Sequence, residues 1–155
     1  MAATLGNGAS FTWDADGTGG GASVLVGQVT SISTPAQERA TVDVTSLGSS
    51  NDHTGSGSST VTTPTRQFLA GFNDPGDMTI ELQWGVDSSG SQSTNQEVLY
   101  DSLLSGAEGS GIVVFSSADT CSFSGFVTSL TVNQAIDEVV SATVTIKVSG
   151  AVTIS

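Results

Sequence analysis

Hydrophobic and polar residues alternate most clearly over residues 71–84. After Asp74-Pro75-Gly76-Asp77, residues Met78, Ile80, Leu82 and Trp84 fall on one face of an extended segment. Thr79, Glu81 and Gln83 fall on the other. The four residues before the strand suit a type II turn, with Pro75 fixing φ and Gly76 accepting a positive φ. The same period of two recurs near the end of the chain. There Val140, Ala142, Val144, Ile146 and Val148 alternate with Ser141, Thr143, Thr145 and Lys147, a hydroxyl-rich outer face typical of a solvated sheet. Further strands are expected at residues 24–32, 40–45, 112–115 and 120–132. Within 120–132, Phe126, Thr128, Leu130 and Val132 are expected to oppose Val127, Ser129 and Thr131.

One segment has helical rather than strand periodicity. Thr94-Asn95-Gln96-Glu97 has the capping-box pattern. Val98, Leu99, Leu103 and Leu104 then form an apolar stripe, and Gly106 supplies a stop. The order of strands, then a helix, then strands predicts a mainly β fold: an antiparallel β-sandwich or partial barrel with one flanking α-helix.

The remaining stretches are polar. Residues 1–23 read as a flexible N-terminal arm, because Phe11 and Trp13 stand among Gly, Asp and Thr. The two aromatics suggest that the arm docks, either on its own domain or on a neighbour. Residues 24–155 read as a single domain interrupted by a long Gly/Ser/Thr/Asn loop at 46–64, beyond the length of about 12–15 residues above which loops are uncommon. No internal repeat of useful length is visible.

Charge narrows the possible functions. The 155 residues include 15 acidic side chains against three fixed cations, Arg39, Arg66 and Lys147, for a net charge of −12. Tracking a phosphate backbone needs several cations along one groove, so nucleic-acid binding by charge is excluded. Passing close to DNA without holding it is compatible. Cys121 is alone, so no intrachain disulfide forms. The first residues have no basic or apolar export signal, and no apolar run approaches the ~20 residues of a membrane helix. The chain is therefore expected to be made in a cytoplasm and not to insert in a membrane.

Candidate chemistry is sparse. His53 has no second His or Cys at metal-ligand spacing, and no nucleophile elbow accompanies it. Asp14-Ala15-Asp16-Gly17 looks like the start of a calcium loop, with Gly19 at the sixth position, but Leu25 stands where the twelfth-position Glu belongs. It reads as an Asp-Gly turn. Asp137 and Glu138 are adjacent, which puts them on opposite sides of an extended chain and gives no glycosidase pair. Gly19-Gly20-Gly21 follows no strand and opens no helix, so it is no phosphate loop. No cofactor, metal or catalytic residue is expected.

Three pieces in this order resemble a siphophage major tail tube protein, the subunit of a long non-contractile tail. They are Thr41-Val42-Asp43-Val44-Thr45-Ser46-Leu47; Phe68-Leu69-Ala70-Gly71-Phe72 with Asp74-Pro75-Gly76-Asp77-Met78-Thr79-Ile80-Glu81-Leu82; and the closing stretch at 139–153. Residues 48–65 look expanded relative to that pattern. The resemblance implies hexameric rings stacked into a tube, a virion location, and inner sheets joined into one barrel around a lumen. Double-stranded DNA would pass through without tight binding. It also implies a tape measure protein and tail terminator and tip proteins as partners. Under it, Asp43, Thr79, Glu81 and Gln83 are candidate lumen-facing residues. Asn51, Asp52, His53 and Thr54 are candidate inter-ring contacts, and Phe11 and Trp13 are candidate docking residues of the arm. An Ig-like adhesive or carbohydrate-binding module is the alternative of a different class, though it would need an aromatic platform and a secretion route. A tube subunit of a contractile or secretion device would share the fold.

Overall fold

The computed structural model describes residues 8–17, 24–26, 29–44, 66–85 and 94–155. Among them run β1 (Ser10–Asp14), β2 (Val24–Val26), β3 (Val29–Ser33), β4 (Glu38–Asp43), β5 (Phe68–Asp74), β6 (Asp77–Gln83), α1 (Thr94–Ser105), β7 (Gly109–Val114), β8 (Thr120–Asn133) and β9 (Ser141–Ile154). The mainly β, antiparallel, one-helix expectation holds. The chain divides into two compact units, residues 37–74 and the remainder.

The larger unit is built on one seven-stranded sheet in the order β2-β1-β7-β8-β9-β6-β3. Its edge strands are β2 and β3, which are separated in sequence by only two residues. In a flat sheet the two edges would stand about 29 Å apart, at ~4.8 Å per strand interval. The chain from Val26 to Val29 spans at most about 11 Å. The sheet must therefore curl until its edges approach, which is the partial-barrel form of the expected fold. A cavity of about 290 Å³ lined by Val29 and Ile32 of β3 and by Val113 of β7 marks where β3 comes round toward β7. The expected single strand at 24–32 is thus two strands on opposite edges. Local alternation cannot detect that break, because each half keeps its own period.

Residues 10–14 also differ from the sequence expectation. They form an interior strand, paired with β2 on one side and β7 on the other. Phe11 and Trp13 are both fully buried in the larger unit's own core, so they dock within the chain. Polar neighbours in sequence disguised the strand, whose burial comes from pairing partners about 100 residues away.

The core lies on the concave side. It joins Met78, Ile80 and Leu82 of β6 with Ala142, Val144, Ile146 and Val148 of β9, as the alternation requires. Cys121, Phe123 and Val127 come from β8, Val113 from β7 and Leu99 from α1. On β8 the expected phase holds only in part. A register shift between Val127 and Ser129 flips the faces, so Val127 is buried with Cys121 and Phe123, and Leu130 takes over beyond the bulge. The glycines of β7 make room for neighbouring rings: a Cβ on Gly111 would lie 2.4 Å from Phe123 Cζ, and one on Gly109 2.4 Å from Trp13 Cζ2.

The helix begins and ends where the capping box and Gly106 place it, with Gly106 at φ +64 and its N–H bonded to Ser102 O at 3.1 Å. Its buried face differs from the apolar stripe. Leu99 is buried, Val98 and Leu103 are partly so, and Leu104 is exposed. Gln96 and Ser102 are buried instead. Each has a partner that repays its desolvation. Gln96 Nε2 donates to Gln83 O at 2.8 Å, and its Oε1 accepts the Gly85 N–H at 3.3 Å, which ties α1 to the end of β6. Ser102 Oγ donates to Val98 O and accepts from Trp13 Nε1 at 3.0 Å, which ties α1 to β1.

The smaller unit is the antiparallel hairpin β4–β5, with Val42 opposite Leu69 and Asp43 opposite Phe68. Gly76 has φ +74, as a type II turn requires, but the turn at 74–77 makes no hairpin. The strand before it pairs with β4, and the strand after it pairs with β3 and β9.

Candidate functional site

The polar face of β3, β6, β9 and the outer half of β8, on the side away from the core, is built by register. Directly opposed residues of an antiparallel pair share a face. Thr79 opposes Thr145, Glu81 opposes Thr143, and Gln83 opposes Ser141. On the far side of β6, Ser33 and Ser31 oppose Thr79 and Glu81. On the far side of β9, Thr131 opposes Thr143 and Ser129 opposes Thr145. Thr79, Glu81 and Gln83 therefore come together as expected, at the centre of a wall of serine and threonine hydroxyls.

The wall is nearly neutral. Its charged side chains among the described residues are Asp77, Glu81 and Lys147. Lys147 Nζ sits 3.1 Å from Asp77 Oδ1, so that pair cancels and leaves one carboxylate, Glu81. The acidity of the chain as a whole does not concentrate here. β-Branched hydroxyl residues suit such a position, because they hold the pleat and keep a hydrated surface without a fixed charge.

This face also has open edges. β7 pairs with β8 only as far as Gly125. From Phe126 to Asn133, β8 has β9 on one side and no other strand among the described residues. β3 is the last strand of the sheet at the other side. A four-stranded patch with an unpaired strand at each side is a template for further pairing.

Asp43 belongs to the hairpin unit. It is 3.8 Å from Arg66, an exposed contact of the kind worth at most about 1 kcal/mol. Around it Val42, Phe68 and Leu69 are more than half exposed and Phe72 is 95% exposed, so nearly all of the hairpin's large apolar surface faces outward in the single chain. Asn51, Asp52, His53 and Thr54, with the whole 46–64 loop, lie outside the described residues. Phe11 and Trp13 are core residues, as above.

Among the described residues no three acidic, histidine or cysteine side chains group to hold a metal. Among the same residues no helix is long and apolar enough to cross a membrane. Burial raises the Cys121 thiol above its ordinary range. The sequence did not single out Gln96 and Ser102, since a buried polar residue on a helix looks like a surface one until its partners are placed.

Comparison with known proteins agrees with this architecture. The model of the family described as phage tail tube, TTP, lambda-like matches residues 10–155. A chain in the virion of a native gene transfer agent particle is similar at TM-score 0.69 and 15% identity, over 99% of both chains. A chain from the tail of an empty gene transfer agent particle, refined with C6 symmetry, is similar at TM-score 0.67 and 19% identity, again over 99% of both. The SPP1 tail tube is similar at TM-score 0.56 and 10% identity, covering 98% of this chain and 78% of that one. No curated protein matches the sequence.

Proposed function

The chain belongs to the lambda-like phage tail tube family, and we propose that it works by closing into six-membered rings whose inner wall is the hydroxyl face of β3, β6, β9 and β8. It is a structural subunit of a virion's tail. The observation that carries the wall assignment is that one four-stranded patch combines a wet, nearly neutral face with an unpaired strand at each side. The C6 symmetry of the similar gene transfer agent tail supplies the ring size.

Six copies of four strands make a barrel of twenty-four. At ~4.8 Å spacing and ~40° tilt its circumference is about 150 Å and its backbone diameter about 48 Å. Such a bore passes a DNA duplex with a layer of water. Hydroxyls give that water partners, and the lone Glu81 repels phosphate weakly, so DNA slides without being held. Contacts of this kind close when the rotation returns to its start, and a second set stacks the rings. The outward apolar residues of β4–β5 and the segment carrying Asn51, Asp52, His53 and Thr54 are the parts assigned to contacts between copies. Tape measure, terminator and tip proteins would meet the same tube, and no catalysis is assigned to the chain.

A cryo-EM reconstruction of tubes assembled from purified protein tests the reading. Thr79, Glu81 and Thr143 should line the bore, and finding them on the tube's exterior overturns the assignment. Deleting residues 50–59 should leave folded monomer that no longer makes tubes; normal tubes would remove that segment's role.

A further inference from the structure

The strands of the hydroxyl face lead, at their two ends, into segments that a lone chain leaves exposed and apolar. At one end β8 turns into β9. Asn133 and Gln83 both oppose Ser141 there, and the Trp84 N–H donates to Val140 O at 2.8 Å. Asp137 holds the turn in the left-handed region at φ +71, which aspartate tolerates better than most side chains. Ile136 beside it is 92% exposed, and Val132 and Val139 are exposed too. At the opposite end Ser33 opposes Thr79 and Asp77 opposes Lys147. There the chain leaves the larger unit after Ala36, forms the β4–β5 hairpin and returns at Pro75. A Cβ on Gly76 would lie 2.4 Å from Ala36 O, so the outgoing and returning chain run side by side. Single exposed apolar side chains are ordinary, whereas a cluster marks a contact. Of the twelve large hydrophobic side chains exposed among the described residues, five belong to the hairpin and its flank and three to residues 132–139.

We infer that the 134–139 tip of each ring packs on the β4–β5 hairpin of the next ring, with Ile136 and Val139 against Phe72 and its apolar neighbours, an arrangement that rests on the reading above that these strands line the bore. Strands tilted by ~40° in a barrel wall present their ends to the rings above and below. One repeated step along the tube then brings tip ends onto hairpin ends, a heterologous contact that never closes and so builds a filament of rings. Charge opposes a tip-to-tip pairing. Among the described residues the tip carries Asp137 and Glu138 and no cation, so two tips would set carboxylates face to face. All three fixed cations, Arg39, Arg66 and Lys147, belong to the hairpin, its flank or its end of the wall, beside Glu38, Asp43, Asp74 and Asp77. With one such contact per subunit, the contacts at each ring junction act together, so each can be small.

The test is a chain carrying both Phe72→Cys and Ile136→Cys, assembled into tubes and treated with a short bismaleimide. Cys121 is fully buried, so the introduced cysteines are the ones that react. The expected product is a denaturing-gel ladder that runs past six chains, because links between rings continue along the tube whereas links within a ring stop at six. A ladder ending at six, or no cross-linking in intact tubes, overturns the proposal. Leu69→Cys with Val139→Cys replaces the pair if the first does not assemble. Ile136→Asp should leave the monomer's Tm nearly unchanged, since the side chain is exposed, and raise the protein concentration needed for tubes at least tenfold; unchanged assembly overturns the proposal as well. The two failures are separable. A bore lined by Thr79 and Glu81 with no ladder past six removes this contact alone, whereas those residues on the tube's exterior remove the bore reading and this contact with it.

Discussion

If the hydroxyl face lines the bore as proposed, replacing Glu81 with lysine should turn a wall that lets DNA slide into one that holds it. Glu81 is exposed on β6, opposite Thr143 and Ser31, so Glu81→Lys disturbs no buried contact and should change stability by less than about 0.5 kcal/mol. Its electrostatic effect is large by comparison. Asp77 and Lys147 cancel, so the face goes from a surplus of −1 to +1 per subunit, and a six-membered ring from −6 to +6. A duplex lying against one side of the bore meets about half of the six lysines. With Z of about 3, log K falls with log salt at a slope of about −2.7 for each ring engaged. A fourfold rise in salt then weakens retention about 40-fold per ring, and the effect multiplies along the tube. The assay is co-sedimentation of a labelled duplex with tubes assembled around it, across a salt series. Wild-type tubes should release the DNA at every salt concentration. Glu81→Lys tubes should retain it at low salt and release it steeply as salt rises. Glu97→Lys, on the exposed side of α1 across the core, is the control for binding to the tube's outside. The lumen assignment fails if Glu81→Lys tubes retain no more DNA than Glu97→Lys tubes.

The other predictions concern the fold that presents this wall. Gly111→Ala brings a Cβ within 2.4 Å of the Phe123 ring in a closed core and should cost about 1–3 kcal/mol by overpacking; a Tm unchanged within a degree would show that the ring can move aside freely. Ser102→Ala leaves the Trp13 indole N–H buried without its acceptor and should cost about 1–2 kcal/mol in a denaturant titration, and Trp13→Phe should cost less in that background than on its own. Phe72→Ser on the hairpin should leave monomer stability nearly unchanged but reduce tube yield, and undiminished assembly in light scattering would release the hairpin from its role. Because burial raises the Cys121 thiol, folding binds a proton that the unfolded chain releases. Its stabilising contribution is complete below about pH 8.5 and is lost as pH climbs through the raised value; Cys121→Ala should flatten the alkaline limb of Tm against pH.

The alternating segments at 78–84 and 140–148 determined their own strands and faces, because a period of two is a local property that any half-buried strand must show. The helix ends were also local, legible in the Thr94-Asn95-Gln96-Glu97 pattern and in Gly106. Charge alone excluded a nucleic-acid-holding protein. Tertiary structure decided what those elements meet. The 24–32 segment breaks across both edges of a sheet because the sheet curls, and the curl is a property of seven strands together. Phe11 and Trp13 are core residues because β7, about 100 residues away, presents glycines beneath the Trp13 ring and at its register partner. The hydroxyl wall follows the same division. Each strand's sequence marks its own polar side, but only the register sets Glu81 among Thr79, Thr143 and Ser31, and only the ion pair of Asp77 with Lys147 leaves it the single uncompensated charge. Pairing across distant strands has no local signature, so the site's members could be read from the sequence and its composition could not.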